Sequence, residues 1–198
     1  MKGASANTQS EDHFRRAQAA FKRADITALE DLTNLSSFPH GTDAFVGQRW
    51  LTTAINSSNI DAVRWVLSKG VDVNAADDMT PLEAAIFNRP PKLYGKAYVP
   101  GTPETEAAHI ARTIQIIDLL LDAGADINAV RDGCTALHLA VRFASIDVVK
   151  HLVARGADPA IAGRDRWDLA EAEMIAAELA DQLGRNEIAA FLRAHAKV

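Results

Sequence analysis

The chain has 198 residues, 48% of them hydrophobic, enough for a buried core and too many for a disordered polymer. A formal net charge of -5 speaks against a nucleic-acid partner, whose phosphates call for a basic face. The single cysteine, Cys134, excludes an internal disulfide, and no Cys/His set has zinc spacing, so a reducing, cytoplasmic setting without metal or cofactor is expected.

Met1 to Ser10 is polar and rich in small residues, resembles neither a secretion signal nor an anchor, and is expected to be disordered over residues 1–9. No apolar run approaches the roughly 20 residues that span a bilayer, so no membrane role is expected. Glu11 to Lys22 places Phe14, Ala17, Ala20 and Phe21 at helical spacing among Arg15, Arg16, Lys22 and Arg23, and Ile26 to Leu32 follows as a second amphipathic segment.

From there one pattern recurs. Ile60 to Leu67, Ile114 to Leu121 and Ile146 to Val153 align with apolar and polar positions in nearly the same places, and Glu187 to Leu192 fits the same template. The first three end in Gly70-Val71-Asp72-Val73-Asn74-Ala75, in Gly124-Ala125-Asp126-Ile127-Asn128-Ala129 and, more loosely, in Gly156-Ala157-Asp158-Pro159-Ala160. Glycine after such a helix accommodates the left-handed conformation that ends it. Upstream lie Thr80-Pro81-Leu82-Glu83-Ala84-Ala85 and Thr135-Ala136-Leu137-His138-Leu139-Ala140, where the threonine suits an N-cap and Pro81 a first helical position. Ala84, Ala85 and Ala140 let paired helices approach closely.

Those segments resemble the T-P-L-H-x-A signature of ankyrin repeats, and the 21 positions from Thr135 to Gly156 match the family's spacing. The hairpins before Thr80 and Thr135 are shorter than the family's usual turn. The resemblance implies an all-α ankyrin-repeat solenoid of about five helix-turn-helix repeats over residues 10–198: an N-terminal cap at 10–43, repeats at 44–79, 80–134 and 135–166, and a C-terminal cap at 167–198. The third repeat departs most, with 44 positions from Thr80 to Gly124. It carries an inserted loop at 89–102, broken by prolines and glycines, followed by a helix capped by Thr102, begun by Pro103 and running to Asp122, about 30 Å at 1.5 Å per residue. Trp167 to Leu183 reads as one long helix of an elongated cap.

No catalytic constellation emerges. His138 stands at the histidine of the family motif, where such a side chain hydrogen-bonds to adjoining turns. His151 aligns with Trp65 and Leu119 and is expected to be half-buried, while His13, His40, His109 and His195 lack ligand-type partners at helical spacing. Cys134 lies at a hairpin, where its thiol is expected to be exposed but has no base or oxyanion site beside it. Asp77-Asp78 reads as a turn. The chain is therefore expected not to be an enzyme.

What remains is surface. The resemblance implies a concave face lined by hairpin tips and first-helix ends, which names Asn56, Phe87, Asn88, Arg142 and Phe143 on helices and Arg131, Arg164 and Arg166 at tips. Phe87 and Phe143 occupy matching places, and aromatic and arginine side chains supply binding hot spots; the alternative is that the rings turn into the stack and the arginines are simply solvated. Tyr94 and Tyr98 of the insertion are a second candidate, in a loop that either binds a partner or folds back over its own helix. The expected function is a monomeric protein-interaction module, adaptor or inhibitor, whose partner presents acidic or aromatic groups. An immunity or antitoxin protein that neutralises a cognate toxin is the sharper alternative, and a small-molecule receptor or enzyme with the insertion as lid is the rival.

Overall fold

Five helix starts are fixed by the side chains that precede them. Asp25 accepts from the Ala28 amide, Asn59 from those of Asp61 and Ala62, Thr80 from Glu83, Thr135 from His138 and Ser145 from Val148. At Thr80 the bond is reciprocal, with Glu83 reaching back to the Thr80 amide at 2.7 Å. The computed structural model describes residues 2–34, 38–88, 106–164 and 173–196. In chain order these form α1 (Lys2–Arg23), α2 (Ile26–Leu32), α3 (Trp50–Asn56), α4 (Ile60–Ser68), α5 (Pro81–Phe87), α6 (Glu106–Asp122), α7 (Ala136–Phe143), α8 (Ile146–Ala154), β1 (Ala162–Gly163), β2 (Met174–Ile175), α9 (Ala176–Gln182) and α10 (Asn186–His195). The protein is thus all-α, a succession of stacked helix pairs, with one short antiparallel strand pair. Two compact units are distinguished, Met1–Asn88 with Asp118–Ala125, and Arg89–Ile117 with Asp126–Val198.

In the first unit the centre is Trp50, 2% exposed. Its ring lies 4.9 Å from that of Phe38, 6.2 Å from Phe14 and 6.5 Å from Phe21, so α1 is fastened to α3 by aromatic packing. The outer helices α2 and α4 are joined by Glu30, whose Oε1 accepts from Trp65 Nε1 at 2.8 Å and from Lys69 Nζ at 2.6 Å. Lys69 Nζ also stands 4.9 Å from the Trp65 ring.

A helix leaves carbonyls at its end without partners, and here the following repeat supplies donors. Asn59 Nδ2 donates to Lys22 O at the end of α1 (3.2 Å), and Asn88 Nδ2 to Ile55 O at the end of α3 (2.9 Å). In the second unit Arg185 serves α7, through Nη1 to Val141 O and Nη2 to Ala144 O at 2.6 Å. Within each unit an asparagine also ties one loop to the next. Asn74 Nδ2 donates to Gly124 O at 3.0 Å; Asn128 Nδ2 donates to Gly156 O at 3.2 Å while its Oδ1 accepts from the Asp158 amide at 2.9 Å. The expected left-handed glycines follow α4, α6 and α8.

His138 does what its place in the motif implies. It is 1% exposed, with Nδ1 2.7 Å from Thr135 Oγ1 and Nε2 3.0 Å from Met174 O. Because a carbonyl only accepts, Nε2 carries the proton and Nδ1 receives the Thr135 hydroxyl. This bond crosses to β2, which pairs Gly163 with Met174 and Ala162 with Ile175. Gly163 is packed so tightly that a Cβ would lie 2.7 Å from Gly133 O and 2.9 Å from His138 Cε1.

Three expectations are corrected. The long helix over Trp167 to Leu183 does not form: Met174 and Ile175 are strand, and α9 spans seven residues, opened by Glu178 accepting from the Ile175 amide at 3.0 Å. Backbone pairing with β1 and the His138 bond secure an extended stretch that the apolar pattern reads as helix. Helix α1 runs back to Lys2, through residues expected to be disordered, because nothing but Gly3 interrupts helix-compatible residues there. Cys134 is buried, 2% exposed, with Sγ 3.5 Å from Thr135 O. Its hairpin pairs residue 134 back to 131 and folds the thiol under the repeat. The insertion at 89–102, with Thr102 and Pro103, lies outside the described residues, so α6 is seen from Glu106.

Three outcomes follow from this packing. Arg185→Ala removes a charged donor from two carbonyls and lowers stability by about 2 kcal/mol in urea unfolding, with Arg185→Lys restoring only part because one ammonium does not reproduce the guanidinium fork. Gly163→Ala forces a Cβ against backbone and costs about 1–3 kcal/mol in the same measurement. The hydrogen bonds from Lys69 and Trp65 hold the Glu30 carboxyl below the usual carboxylate range. Their contribution is fully present above the ordinary glutamate value and is lost as pH falls through the lowered one, so Glu30→Gln flattens that acid limb of a stability-pH curve.

Candidate functional site

In the second unit the candidate surface is built on a two-residue turn. Asp132 and Gly133 both have positive φ, 48° and 76°, while Arg131 and Cys134 exchange backbone hydrogen bonds of 2.8 Å in each direction. Two left-handed residues between paired flanks make a type I′ hairpin, for which Asp-Gly is a preferred dipeptide. The turn is therefore well defined: Val130 beside it is 57% exposed, while the Arg131 side chain is half-buried, its Nε shut off from solvent 3.9 Å from Asp132 Oδ2. Arg164, exposed at the end of β1, lies across the same turn. Its amide donates to Gly133 O, and a Cβ on Gly133 would meet Arg164 Nε at 3.1 Å. Two guanidinium groups thus flank one fixed corner.

Arg142 and Phe143 close α7 in the same unit. Both are half-buried, and the guanidinium carbon stands 5.8 Å from the Phe143 ring centroid, a cation-π distance.

The first unit holds Asn56, Phe87 and Asn88. Asn56 is exposed at the end of α3, its Nδ2 3.4 Å from Gln48 Oε1, which also receives the Thr53 hydroxyl at 3.2 Å. Phe87 ends α5 as Phe143 ends α7, and both rings are half-buried. Asn88 spends its amide inward, on Ile55 O and on Ser58 Oγ at 3.0 Å. Tyr94, Tyr98 and Arg166 lie outside the described residues.

Sequence reasoning missed a second tip. Phe45 and Val46 are 39% and 53% exposed on a hairpin organised by Asp43, itself 3% exposed. One Asp43 oxygen accepts from the Phe45 and Val46 amides at 2.9 and 2.7 Å, the other from Gln48 at 2.9 Å. An aspartate two residues before an apolar pair, with Gly47 closing the loop, was the available signal. Asp77 is a turn residue as expected, but it also holds the preceding hairpin, accepting from the Arg49 amide at 2.7 Å with Arg49 Nε at 3.2 Å. Asp132-Gly133 was likewise legible as a turn.

His151 is half-buried, as its alignment with Trp65 and Leu119 implied. Among the described residues no group of three or more His, Cys, Asp or Glu side chains is placed to hold a metal ion, and no helix is long and apolar enough to cross a membrane.

Residues 98–162 match the family model for ankyrin repeats in three copies. The chain is 26% identical over 136 residues to an ankyrin repeat protein of Acanthamoeba polyphaga mimivirus, covering 67% of this chain and 39% of that one. It is 38% identical over 111 residues to zygote-specific protein 3 of Chlamydomonas reinhardtii, covering 55% and 24%, and 32% identical over 125 residues to an ankyrin repeat protein of Fowlpox virus (strain NVSL), covering 54% and 37%. The matches span less than two fifths of each relative's length. Ankyrin repeats are non-catalytic scaffolds that generally mediate protein-protein contacts. The matched stretch carries ankyrin repeats, and the capped helix pairs and the His138 bridge between hairpins agree with that pattern.

Proposed function

We propose that the chain is an adaptor or inhibitor that binds one partner protein through hairpin tips and first-helix ends, with Arg131, Arg164, Arg142 and Phe143 of the second unit as the principal contacts. The observation that carries this reading is the pair of arginines flanking the Asp132-Gly133 turn. A preordered backbone spends little ordering entropy on binding, and arginine offers a planar fork that suits carboxylates and aromatic faces. The partner accordingly presents acidic or aromatic groups, which the chain meets locally although its net charge is -5. Asn56, Phe87, Tyr94, Tyr98 and Arg166 are proposed as further contacts. Asn88 keeps only its carbonyl for such a role, since its amide serves Ile55 and Ser58. We place this activity in the cytoplasm, with the chain acting as a monomer. A toxin held by its immunity protein would be one such partner.

The test is capture from a lysate of the source cell by the wild-type chain and by an Arg131→Glu/Arg164→Glu variant. The variant should keep its helical circular dichroism and lose its captured partner about tenfold or more in affinity, the equivalent of roughly 1.4 kcal/mol, with Phe143→Ala weakening it independently. Undiminished affinity in both folded variants would remove the surface from consideration.

A further inference from the structure

His13 lies on the side of α1 that faces the aromatic core of the first unit. Its ring centroid is 5.3 Å from Trp50 and 5.7 Å from Phe38, the latter edge-on at 65°. The residue is half-buried, but its Nε2 is shut off from solvent and has no hydrogen-bond partner among the described residues. The charged groups that face it are Asp12 and Arg16 from its own helix and Asp43 from the hairpin; Phe38 and Trp50 bring none. Asp43 attracts an imidazolium only from a distance, because its carboxylate is already engaged by the amides of Phe45, Val46 and Gln48.

These surroundings suit one protonation state. A neutral imidazole leaves a lone pair facing carbon, whereas an imidazolium would place an N–H there with no acceptor among the described residues, a larger penalty even for a half-buried ring. Burial first, and then the Arg16 charge, hold the ring's pKa below its ordinary value against the smaller upward pulls of Asp12 and Asp43.

What His13 touches is also what holds the first helix pair in place. Trp50 carries Phe14 and Phe21 of α1 as well, and Phe14 stands 6.0 Å from Phe45 at the exposed hairpin tip. A charge introduced at His13 therefore acts on the whole seam between α1 and α3.

We propose that His13 is a pH-sensitive latch: the neutral ring holds α1 against the Phe38 and Trp50 rings, and protonation releases α1 and bares that aromatic surface. Above the ordinary histidine value near 6.5, folded and unfolded chains are both neutral and the seam is at full strength. Below it the unfolded or opened form takes up a proton that the closed form refuses, so the seam weakens until pH passes the lowered value of the closed form. Mild acid thus opens the amino-terminal cap ahead of the remaining repeats of that unit.

The experiment uses the full chain. The His13 Cε1 proton is titrated by NMR, and amide exchange in α1 is compared with that in α4 at pH 7.5 and pH 5, after correction for intrinsic rates, in the wild type and in His13→Phe. Expected are a His13 midpoint below 6.5 and a selective loss of α1 protection at pH 5, on the order of tenfold per unit of depression, that is absent in His13→Phe. A midpoint at or above 6.5, or an equal acid loss of α1 protection in the folded variant, overturns the latch. Should His13→Phe fail to fold, the wild-type titration decides alone.

Discussion

The carbonyls left open at the end of a short helix govern much of this architecture. Helices α3, α5 and α7 are seven or eight residues long, so close to half of each helix's carbonyls lack an intrahelical donor. Water could satisfy them on an isolated helix, but the apolar faces beside them must be covered. Side chains from the next repeat resolve the conflict: Asn88 reaches back to α3 and Arg185 to α7. In each of these two pairs the later repeat completes the earlier one, so the stability of the pair is a property of neighbours taken together.

The same logic explains which features could be read from the sequence. Caps and helix-ending glycines are local, since each requires a particular residue type at a fixed offset, and Thr80, Thr135, Gly70 and Gly156 declare themselves without tertiary knowledge. The five second helices were legible because their apolar spacing is set by one buried stripe each. His138 was legible through its motif. The stretch from Glu173 to Ile175 was not, because Met174 and Ile175 continue the periodicity of α9 and only their pairing with Ala162 and Gly163, more than ten residues away, makes them strand. Cys134 was misplaced for a related reason: a hairpin is exposed at its tip, whereas this residue sits at the foot where the chain turns under Thr135.

The candidate surface shows a corresponding split. Arg131, Arg142, Phe143 and Arg164 were singled out by position within the repeat, yet what brings Arg164 against the turn that Arg131 flanks is the tightness beneath. Gly133 and Gly163 admit no Cβ at ordinary distance from Arg164 and from Gly133 O respectively. Those contacts hold Arg164 against the turn, and no periodicity in the chain encodes them. Phe45 and Val46 were overlooked because an exposed apolar pair on a loop has no helical neighbour to align with. Asp43 alone, buried and bonded to three amides, reveals that the loop is ordered.

Side-chain substitutions at equivalent positions then differentiate the repeats within one backbone plan. Where the fourth repeat has His138, the third has Glu83, which turns back to its own cap at Thr80. Asn74 and Asn128 tie their loops onward, and Ala160, at the same place in the next loop, has no side-chain amide with which to continue the series. There the polar link is the Arg185 guanidinium, bonded to carbonyls at the end of α7. A repeat protein can thus keep its local rules while moving its strongest polar link from loop to helix end, leaving hairpin tips free to carry residues chosen for a partner.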